Sequence, residues 1–446
     1  MTAGGDAEQR RLLVISFHFP PDGSVGGLRW AGISKYLARR GWEVHVLTAA
    51  PQGGRAVSDG VHVHYCARRR TLNDAYNSWK RRAQPAGSAG GATGVSSSAA
   101  PSTGGFAWLR RNVGASLGFP DVGRGWIVRA GRLASRLLRG GDRRFDAVVS
   151  SGPPHSAHLA AVLARASGQA PFWVDMRDPW AALVHTHWLQ GLYGSALMKR
   201  TIPWIERRVF ASAYRVVANT AQFADQLREA NPALRVSYVP NGIDLERLPP
   251  PATAKFDGLS IAYAGSLYAG RHLGVVLSAL ERFLRAHPDA RGTTRLRVAG
   301  RTEAPHEARF WADVDAAQLR DVVEFRGELS PAAALDMVNR SHIALVLAQD
   351  QPVQVPAKVY ECVGLRIPTV VIAESTSAAA GEAGRIGAMV CEPADVDGMC
   401  RIIERSWLRP ATGDAPRAEI SYMHIAEQVE SLLLSDASAY RVRTPQ

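Results

Sequence analysis

Long apolar runs are absent from this 446-residue chain. No stretch approaches the ~18 consecutive apolar residues of a membrane-spanning helix, and the opening MTAGGDAEQRR lacks the apolar core of a signal peptide. We therefore expect a cytoplasmic protein. The four cysteines (Cys66, Cys362, Cys391 and Cys400) form no CxxC pair and have no metal-like spacing with histidine. We expect reduced thiols and no metal site.

Acidic residues are scarce in the first third of the chain. Residues 1–145 contain 22 Lys or Arg against 8 Asp or Glu, whereas residues 146–446 contain 31 against 32. This asymmetry favours a surface that meets an anionic partner, such as lipid headgroups, an anionic acceptor or nucleic acid. A basic face that only keeps the protein soluble fits equally well. No helix-turn-helix or RNA-binding signature is present, so we expect no nucleic-acid partner.

The segment 83–105 has almost nothing that can form a core. It contains no charge and one aliphatic residue larger than alanine, so its packing cannot offset the entropy of ordering. We predict a disordered insertion, flanked by basic runs at 68–70, 80–82 and 110–111. Trp108 and Trp126 lie in the same region and suit the headgroup level of a membrane.

Apolar runs alternate with helical patterns along the rest of the chain. The first run at 11–16 is followed by a helical pattern at 28–40 and a second run at 43–48. Continued alternation predicts an α/β protein with two Rossmann-like domains, each a parallel sheet covered by helices. The predicted parts are an N-terminal domain at 1–248, a linker at 249–258, a C-terminal domain at 259–410, and a C-terminal helix and tail at 411–446 that packs back on the N-terminal domain.

A glycine-rich turn lies between the first apolar run and the first helical pattern. Gly26 and Gly27 stand where that helix begins, and backbone N–H groups and the helix dipole attract an anion there. The turn lacks the GxGxxG spacing of a dinucleotide site, and no acidic residue follows at the distance of a ribose contact. A glycine turn without a ligand also fits these residues.

Two segments of the second half place charged residues at the ends of apolar runs. In YAGSLYAGR, Gly265 and Ser266 end a strand and Arg271 precedes a helix. In VPAKVYE, Lys358 and Glu361 share one face of a helix. Ligands of parallel sheets bind at the carboxyl ends of strands, so the cations suit a diphosphate and the carboxylate suits a ribose. A surface arginine and a surface ion pair are the alternatives.

The segment WVDMRDPW follows another apolar run in the first half. Asp175, Arg177 and Asp178 lie between tryptophans in this segment, an arrangement that suits the hydroxyls of a sugar. A structural Arg–Asp pair that ties down the loop fits equally well.

Taken together, these segments resemble the family 4 glycosyltransferases, which have the GT-B fold of two Rossmann-like domains facing each other across a cleft. The resemblance covers roughly residues 11–410, interrupted by the insertion. YAGSLYAGR resembles the family's phosphate-gripping loop, VPAKVYE and GLRIPTVV its donor-site helix and following strand, and VPNGID the close of its N-terminal domain. The segments FDAVVSSGPPHSAHLAA, VDMRDPW and FPDVGRGW resemble a bacterial subgroup active in surface-polysaccharide assembly.

The resemblance implies a retaining, metal-independent, hexosyltransferase-like enzyme that uses a nucleoside-diphosphate sugar as co-substrate and no cofactor. The implied acceptor is lipid-linked or another saccharide, reached on the anionic inner face of the cell membrane, in cell-surface polysaccharide or glycolipid synthesis. The implied catalytic residues are Asp178, Arg271 and Lys358. The implied donor contacts are Gly26, Gly27, Gly265, Ser266, Arg271, Lys358 and Glu361. The implied sugar or acceptor contacts are Arg29, His155, Asp175, Arg177 and Asp178.

Two positions depart from the family pattern. Glu361 matches the second of two family glutamates, but Val353 stands where the family has the first, sugar-contacting one. Arg271, or its neighbour His272, stands in place of the family's lysine and Arg271 keeps the positive charge. Two other functions fit the same fold, namely a sugar-nucleotide epimerase, which needs no acceptor or basic face, and a non-catalytic scaffold.

Overall fold

The computed structural model describes residues 9–71, 74, 119–140, 143–165, 170–182, 196–268, 270–410 and 413–443. The predicted insertion at 83–105, Trp108 and the basic runs at 80–82 and 110–111 lie outside these residues. The chain forms two compact units. The first comprises Met1–Pro240 and Ala426–Gln446, and the second comprises Asn241–Ile425.

The predicted linker at 249–258 lies inside the second unit. Lys255 Nζ donates hydrogen bonds to the carbonyls of Asn339 and Ser341 at 2.8 and 3.2 Å, and the N–H of Phe256 donates to the carbonyl of Arg340 at 2.9 Å. The change of unit therefore falls at Pro240, earlier than the composition of the PPPATAKFDG segment indicated.

The described part of the first unit contains an eight-stranded sheet. Its strands are β1 Arg11–Ser16, β2 Glu43–Ala50, β3 Gly54–Ser58, β4 Val61–Ala67, β5 Ala147–Gly152, β6 Phe172–Met176, β7 Arg215–Ala218 and β8 Val236–Tyr238. Their spatial order is β3-β4-β2-β1-β5-β6-β7-β8, and only the β3–β4 pair is antiparallel. Every residue of β1 is buried, as expected for a central parallel strand covered on both faces.

The first unit also contains helices, and two of them begin at a side-chain cap. The helices are α1 Leu28–Arg39, α2 Ile127–Arg139, α3 Ser156–Arg165, α4 Ala196–Ser212, α5 Ala221–Ala230 and, from Ala426 onward, the C-terminal helix α12 Tyr422–Arg443. Thr220 caps α5 by accepting from the N–H of Phe223 at 3.2 Å. At the start of α3 the acceptor comes from a distant part of the chain, since the carboxylate of Asp121 accepts from the N–H of Ser156 at 2.8 Å.

The described part of the second unit contains a six-stranded parallel sheet in the order β11-β10-β9-β12-β13-β14. The strands are β9 Ser260–Ala264, β10 Arg295–Ala299, β11 Val323–Phe325, β12 Ile343–Leu347, β13 Thr369–Ile372 and β14 Met389–Cys391. The helices are α6 Gly274–Ala286, α7 Ala304–Ala316, α8 Pro331–Asn339, α9 Lys358–Gly364, α10 Ala378–Ile386 and α11 Val396–Leu408.

Both faces of this second sheet are packed. In β12, Ile343, Leu345 and Leu347 belong to one hydrophobic core, together with residues of α6 and α11. The alternate residues Ala344 and Val346 belong to a second core, with residues of α9 and α10. Helices therefore cover the sheet on both sides, and the predicted α/β class with two Rossmann-like domains is confirmed.

Candidate functional site

The order of strands in the second unit creates a ligand-binding edge. The chain runs from β9 to β10 and β11 on one side, then returns to β12 on the other side of β9. This reversal makes the carboxyl ends of β9 and β12 a topological switch point, where ligands of parallel α/β sheets bind. Gly265 and Ser266 follow β9 at this edge. The N–H of Gly265 donates to the carbonyl of Ala299 at 2.8 Å, and Ser266 is exposed.

Arg271 lies beside the same edge and carries an unpaired donor. Its Nη2 donates to Oε1 of Gln351 at 2.9 Å, and its guanidinium carbon lies 4.8 Å from the ring centroid of Tyr268. Its Nε is buried and has no hydrogen-bond partner among the described residues. A buried N–H without an acceptor costs about 1–3 kcal/mol, so the site is suited to an acceptor supplied by a ligand.

Lys358 and Glu361 stand in the first turn of α9, which follows β12. Lys358 is exposed, Glu361 is half-buried, and neither side chain has a hydrogen-bond or ion-pair partner in the part of the chain that the structure describes. The alternative interpretation, a surface ion pair between Lys358 and Glu361, is not observed, since no salt bridge joins these two described residues. Both charges therefore stay available to a ligand. Val353, where the family pattern has a glutamate, is half-buried.

The structure adds two residues that sequence reasoning missed. Gln349 is only 3% exposed, and its Nε2 donates to the carbonyl of His272 at 2.8 Å, while its Oε1 has no partner in the described part of the chain. Thr302, beyond the carboxyl end of β10, also has a buried Oγ1 without a partner among the described atoms. The available signal was the polar AQDQ stretch immediately after the apolar β12.

The first unit has an equivalent edge, at the carboxyl ends of β1 and β5. A Cβ on Gly27 would lie 2.9 Å from the Cα of Phe19, so only glycine allows this close approach. The N–H of Gly27 donates to the carbonyl of Ser24 at 3.0 Å, and this bond occupies one of the two amides predicted to meet an anion. The carbonyl of Gly26 accepts from Arg177 Nη1 at 2.6 Å.

Arg177 ties together the loops at this edge. Besides the carbonyl of Gly26, its guanidinium reaches the carbonyls of Gly152 and Pro153. Arg177 and Asp178 are both half-buried and follow β6. The structure thus brings the predicted glycine turn and the predicted RDP segment to one edge of the first sheet.

Arg29 and Asp175 are interior residues rather than ligand contacts. Their side chains are 3% and 0% exposed and form an ion pair with a 3.1 Å separation between Nη2 and Oδ1. Asp175 also accepts from Trp30 Nε1 and Ser151 Oγ, each at 2.8 Å. Burial alone would raise the pKa of Asp175, but the charge of Arg29 and these hydrogen bonds lower that pKa overall. These two side chains were predicted to contact the sugar or the acceptor. Because they are buried, they instead support the loops at the carboxyl edge of the first sheet from below.

His155 is likewise buried, at 1% exposure. Its ring stacks on Trp180 with 4.6 Å between centroids, and burial lowers its pKa well below the ordinary value, so the ring is neutral at pH 7. Its Nδ1 has no partner among the described atoms. His155 was expected to contact the sugar or the acceptor, but the structure places it beneath the Gly152–Pro153 turn. A Cβ on Gly152 would lie 3.0 Å from its Nδ1.

The basic surface of the first unit is only partly described. Arg129, Arg132, Arg136 and Arg139 are all exposed on one face of α2, which we call the α2 basic face. Trp126 is not a surface residue, contrary to prediction, because it is fully buried with its ring edge-on to Phe17 at 5.5 Å. In the described ranges no helix is long and apolar enough to cross a membrane, and no cluster of His, Cys, Asp or Glu forms a metal-binding set.

Comparison with known proteins agrees with this architecture. Residues 26–242 match the model of the family described as Glycosyl transferase 4-like domain. A D-inositol 3-phosphate glycosyltransferase from Acidothermus cellulolyticus is 27% identical over 230 residues, which are 43% of this chain and 50% of that protein. The match thus spans half the length of this curated relative.

Solved structures resemble the chain over nearly its whole length. A sucrose-phosphate synthase from Thermosynechococcus elongatus has a TM-score of 0.60 and 14% identity, covering 97% of this chain and 98% of the other. An E. coli structure described as trehalose-6-phosphate bound with UDP-2-fluoro glucose has a TM-score of 0.57 and 14% identity, covering 97% of both chains. At such identity the likeness shows the fold, which is GT-B.

The fold and the domain match point to the same class of proteins, the glycosyltransferases of the GT-B fold. Within that class, residues 26–242 match the Glycosyl transferase 4-like domain, which agrees with the resemblance to family 4 over just under half of the chain.

Proposed function

We propose that this protein transfers a sugar from a nucleoside-diphosphate sugar to an acceptor, with retention at the anomeric carbon and no further cofactor. The observation that carries the proposal is the set of unpaired polar groups around the topological switch point of the second unit, at the carboxyl ends of β9 and β12. Arg271 Nε lacks an acceptor, and Lys358 and Glu361 have no partner among the described residues. A diphosphate and a ribose would satisfy all three groups at once.

The charge that develops during the reaction explains why two cations are needed. When the bond between the anomeric carbon and the diphosphate oxygen breaks, negative charge accumulates on the departing diphosphate. The acceptor oxygen bonds to the anomeric carbon, and its proton leaves with the diphosphate. Fixed positive groups stabilise such developing charge. We assign this role to Arg271 and Lys358, beside Gly265 and Ser266, and the ribose hydroxyls to Glu361.

For the acceptor side we propose the loops at the carboxyl edge of the first sheet. Asp178 and Arg177 are the half-buried charged residues there, and Asp178 is the candidate for contact with the transferred sugar or the acceptor hydroxyl. Gly26 supports the same surface, because its carbonyl holds Arg177 in place. The buried residues Arg29, Asp175 and His155 support these loops from below and do not contact the substrate themselves.

We further propose a lipid-linked acceptor and attachment to an anionic membrane surface, in surface-polysaccharide or glycolipid synthesis. The support is the α2 basic face, because its four exposed arginines are accompanied by no acidic residue within α2. Basic residues near an anionic bilayer each contribute about 1 kcal/mol of attraction. Val128 on the same helix is 53% exposed and offers an apolar contact beside them.

Calorimetric titration tests the donor proposal directly. UDP, GDP, ADP and dTDP and their glucose derivatives are titrated into the full chain, and one nucleotide series is expected to bind and to raise the melting temperature. Slow hydrolysis of the matching nucleotide sugar distinguishes an enzyme from a non-catalytic scaffold. Absence of binding across all four series would refute the proposed donor site.

A further inference from the structure

At the switch point of the second unit, a neutral side chain holds Arg271 in place. Its Nη2 donates to Oε1 of Gln351 at 2.9 Å, which joins the loop after β9 to the loop after β12. Gln351 is only 6% exposed. The amide Nε2 of Gln351 in turn lies 3.5 Å from the hydroxyl of Tyr268, whose ring underlies the guanidinium. The hydrogen bond to Gln351 and the contact with the Tyr268 ring together fix the orientation of the guanidinium.

The charge of Arg271 is left without a counterion. No salt bridge to Arg271 occurs among the described residues. Asp350 stands beside Gly270, with its Oδ2 2.9 Å from the place a Cβ would take there, yet it forms no ion pair with Arg271. Partly buried cations are usually matched by a carboxylate. A buried glutamine in that place orients the guanidinium without neutralising it.

We propose that Gln351 is a positioning residue that aims Arg271 at an anionic diphosphate and preserves its full positive charge. This inference rests on the proposed function, because it concerns the same donor site. The unpaired Nε of Arg271 is then the donor left free for the ligand, while Nη2 is used for alignment. A carboxylate at position 351 would keep the alignment and cancel the charge.

The test compares Gln351→Glu with wild type in the full chain. Affinity for UDP, GDP, ADP, dTDP and inorganic pyrophosphate is measured by calorimetry, and the melting temperature is measured without ligand. We expect Gln351→Glu to hold or raise the melting temperature, because it gains an ion pair with Arg271, and to weaken binding about tenfold or more. Gln318→Glu adds the same charge at an exposed position of the same unit and is expected to bind like wild type.

One further variant keeps the inference falsifiable if the glutamate is poorly tolerated, and a double variant tests whether Gln351 acts through Arg271. Gln351→Met keeps the size but removes the acceptor, and it should weaken binding without adding charge. In the Arg271→Ala background, Gln351→Glu should cost little additional affinity, because the two residues act as one unit. Equal binding by Gln351→Glu and wild type would overturn this inference alone. Failure of wild type to bind any of these probes would overturn the proposed function and this inference with it.

Discussion

Trp173, in the middle of the first unit's sheet, donates its indole N–H to the carboxylate of Asp436 in the C-terminal helix at 2.9 Å. Asp436 is 2% exposed and also receives two hydrogen bonds of 2.6 Å from the guanidinium of Arg215. One carboxylate therefore binds Trp173, which lies 263 positions earlier in the sequence, and Arg215, which lies 221 positions earlier. The C-terminal helix is therefore part of the first unit's core structure.

The first prediction concerns this carboxylate. Asp436→Ala removes the carboxylate partner of Arg215 and the acceptor of the Trp173 N–H, so we expect a loss of about 3–5 kcal/mol in the free energy of unfolding. Urea denaturation measures it. Glu427→Ala on the same helix removes an exposed pair with Arg40 and should cost less than ~1 kcal/mol. Equal losses in the two variants would contradict the role given to Asp436.

The second prediction concerns pH. Burial lowers the pKa of His158 to about 3 from its ordinary 6.5, so between these values the unfolded chain binds a proton that the folded chain does not. Stability must then fall as the pH is lowered through this window, by up to ~1.4 kcal/mol per pH unit for one proton. In His158→Gln, urea denaturation between pH 5 and about 6.5 should show a slope smaller by that amount.

His155 and His64 also have lowered pKa values because they are buried, so part of the slope remains in His158→Gln. An unchanged slope in that variant would mean that His158 is protonated in the folded protein.

Much of the second unit could be predicted from the sequence, because its strands are short apolar runs bounded by turn residues. The apolar run IALVL at 343–347 coincides with β12. The helical pattern at 331–339 coincides with α8. β3 and β4 were missed, since β3 is exposed along its whole length and β4 alternates apolar residues with histidine. β3 is the edge strand and pairs with β4, which in turn pairs with β2, so its place depends on strand pairing rather than on apolar patterning.

The site was predictable only in part for a related physical reason. Charged residues after apolar runs correctly indicated the carboxyl edges, where Arg271 and Lys358 lie. The same pattern could not distinguish Asp178 from Asp175, although one is half-buried and the other fully buried. Asp175 belongs to β6 itself, and its partner Arg29 lies 146 positions away in sequence. Pairing over such distances leaves no local signal.

The third prediction concerns the donor site. Glu361→Gln removes one charge and keeps the shape of the side chain, and we expect nucleotide affinity to fall by about 1.5–3 kcal/mol, as for a lost charge-assisted hydrogen bond. Because Glu361 has no partner among the described residues, its loss should leave the melting temperature without ligand nearly unchanged. Glu419→Gln, in the same unit and exposed, is the control. Unaltered affinity in a folded Glu361→Gln would remove Glu361 from the site.

The last prediction concerns the membrane. Replacing Arg129, Arg132, Arg136 and Arg139 by Gln removes the α2 basic face and should reduce binding to anionic vesicles at least about tenfold, given about 1 kcal/mol for each basic residue near the surface. The control makes the same substitution at four exposed arginines of the second unit, namely Arg285, Arg309, Arg401 and Arg405. That control should float like wild type.

Flotation is measured with phosphatidylglycerol vesicles and with neutral phosphatidylcholine vesicles, at low and high salt. Surface attraction of this kind is screened beyond about 10 Å at 0.1 M salt, so binding should require the anionic lipid and weaken as salt is added. Nucleotide binding in the second unit should be the same in the α2 variant and in wild type, because the substitutions lie in the first unit. If wild type stays in solution with anionic vesicles at low salt, the basic face serves a soluble acceptor or solubility instead, and the donor site proposed around Arg271 is unaffected.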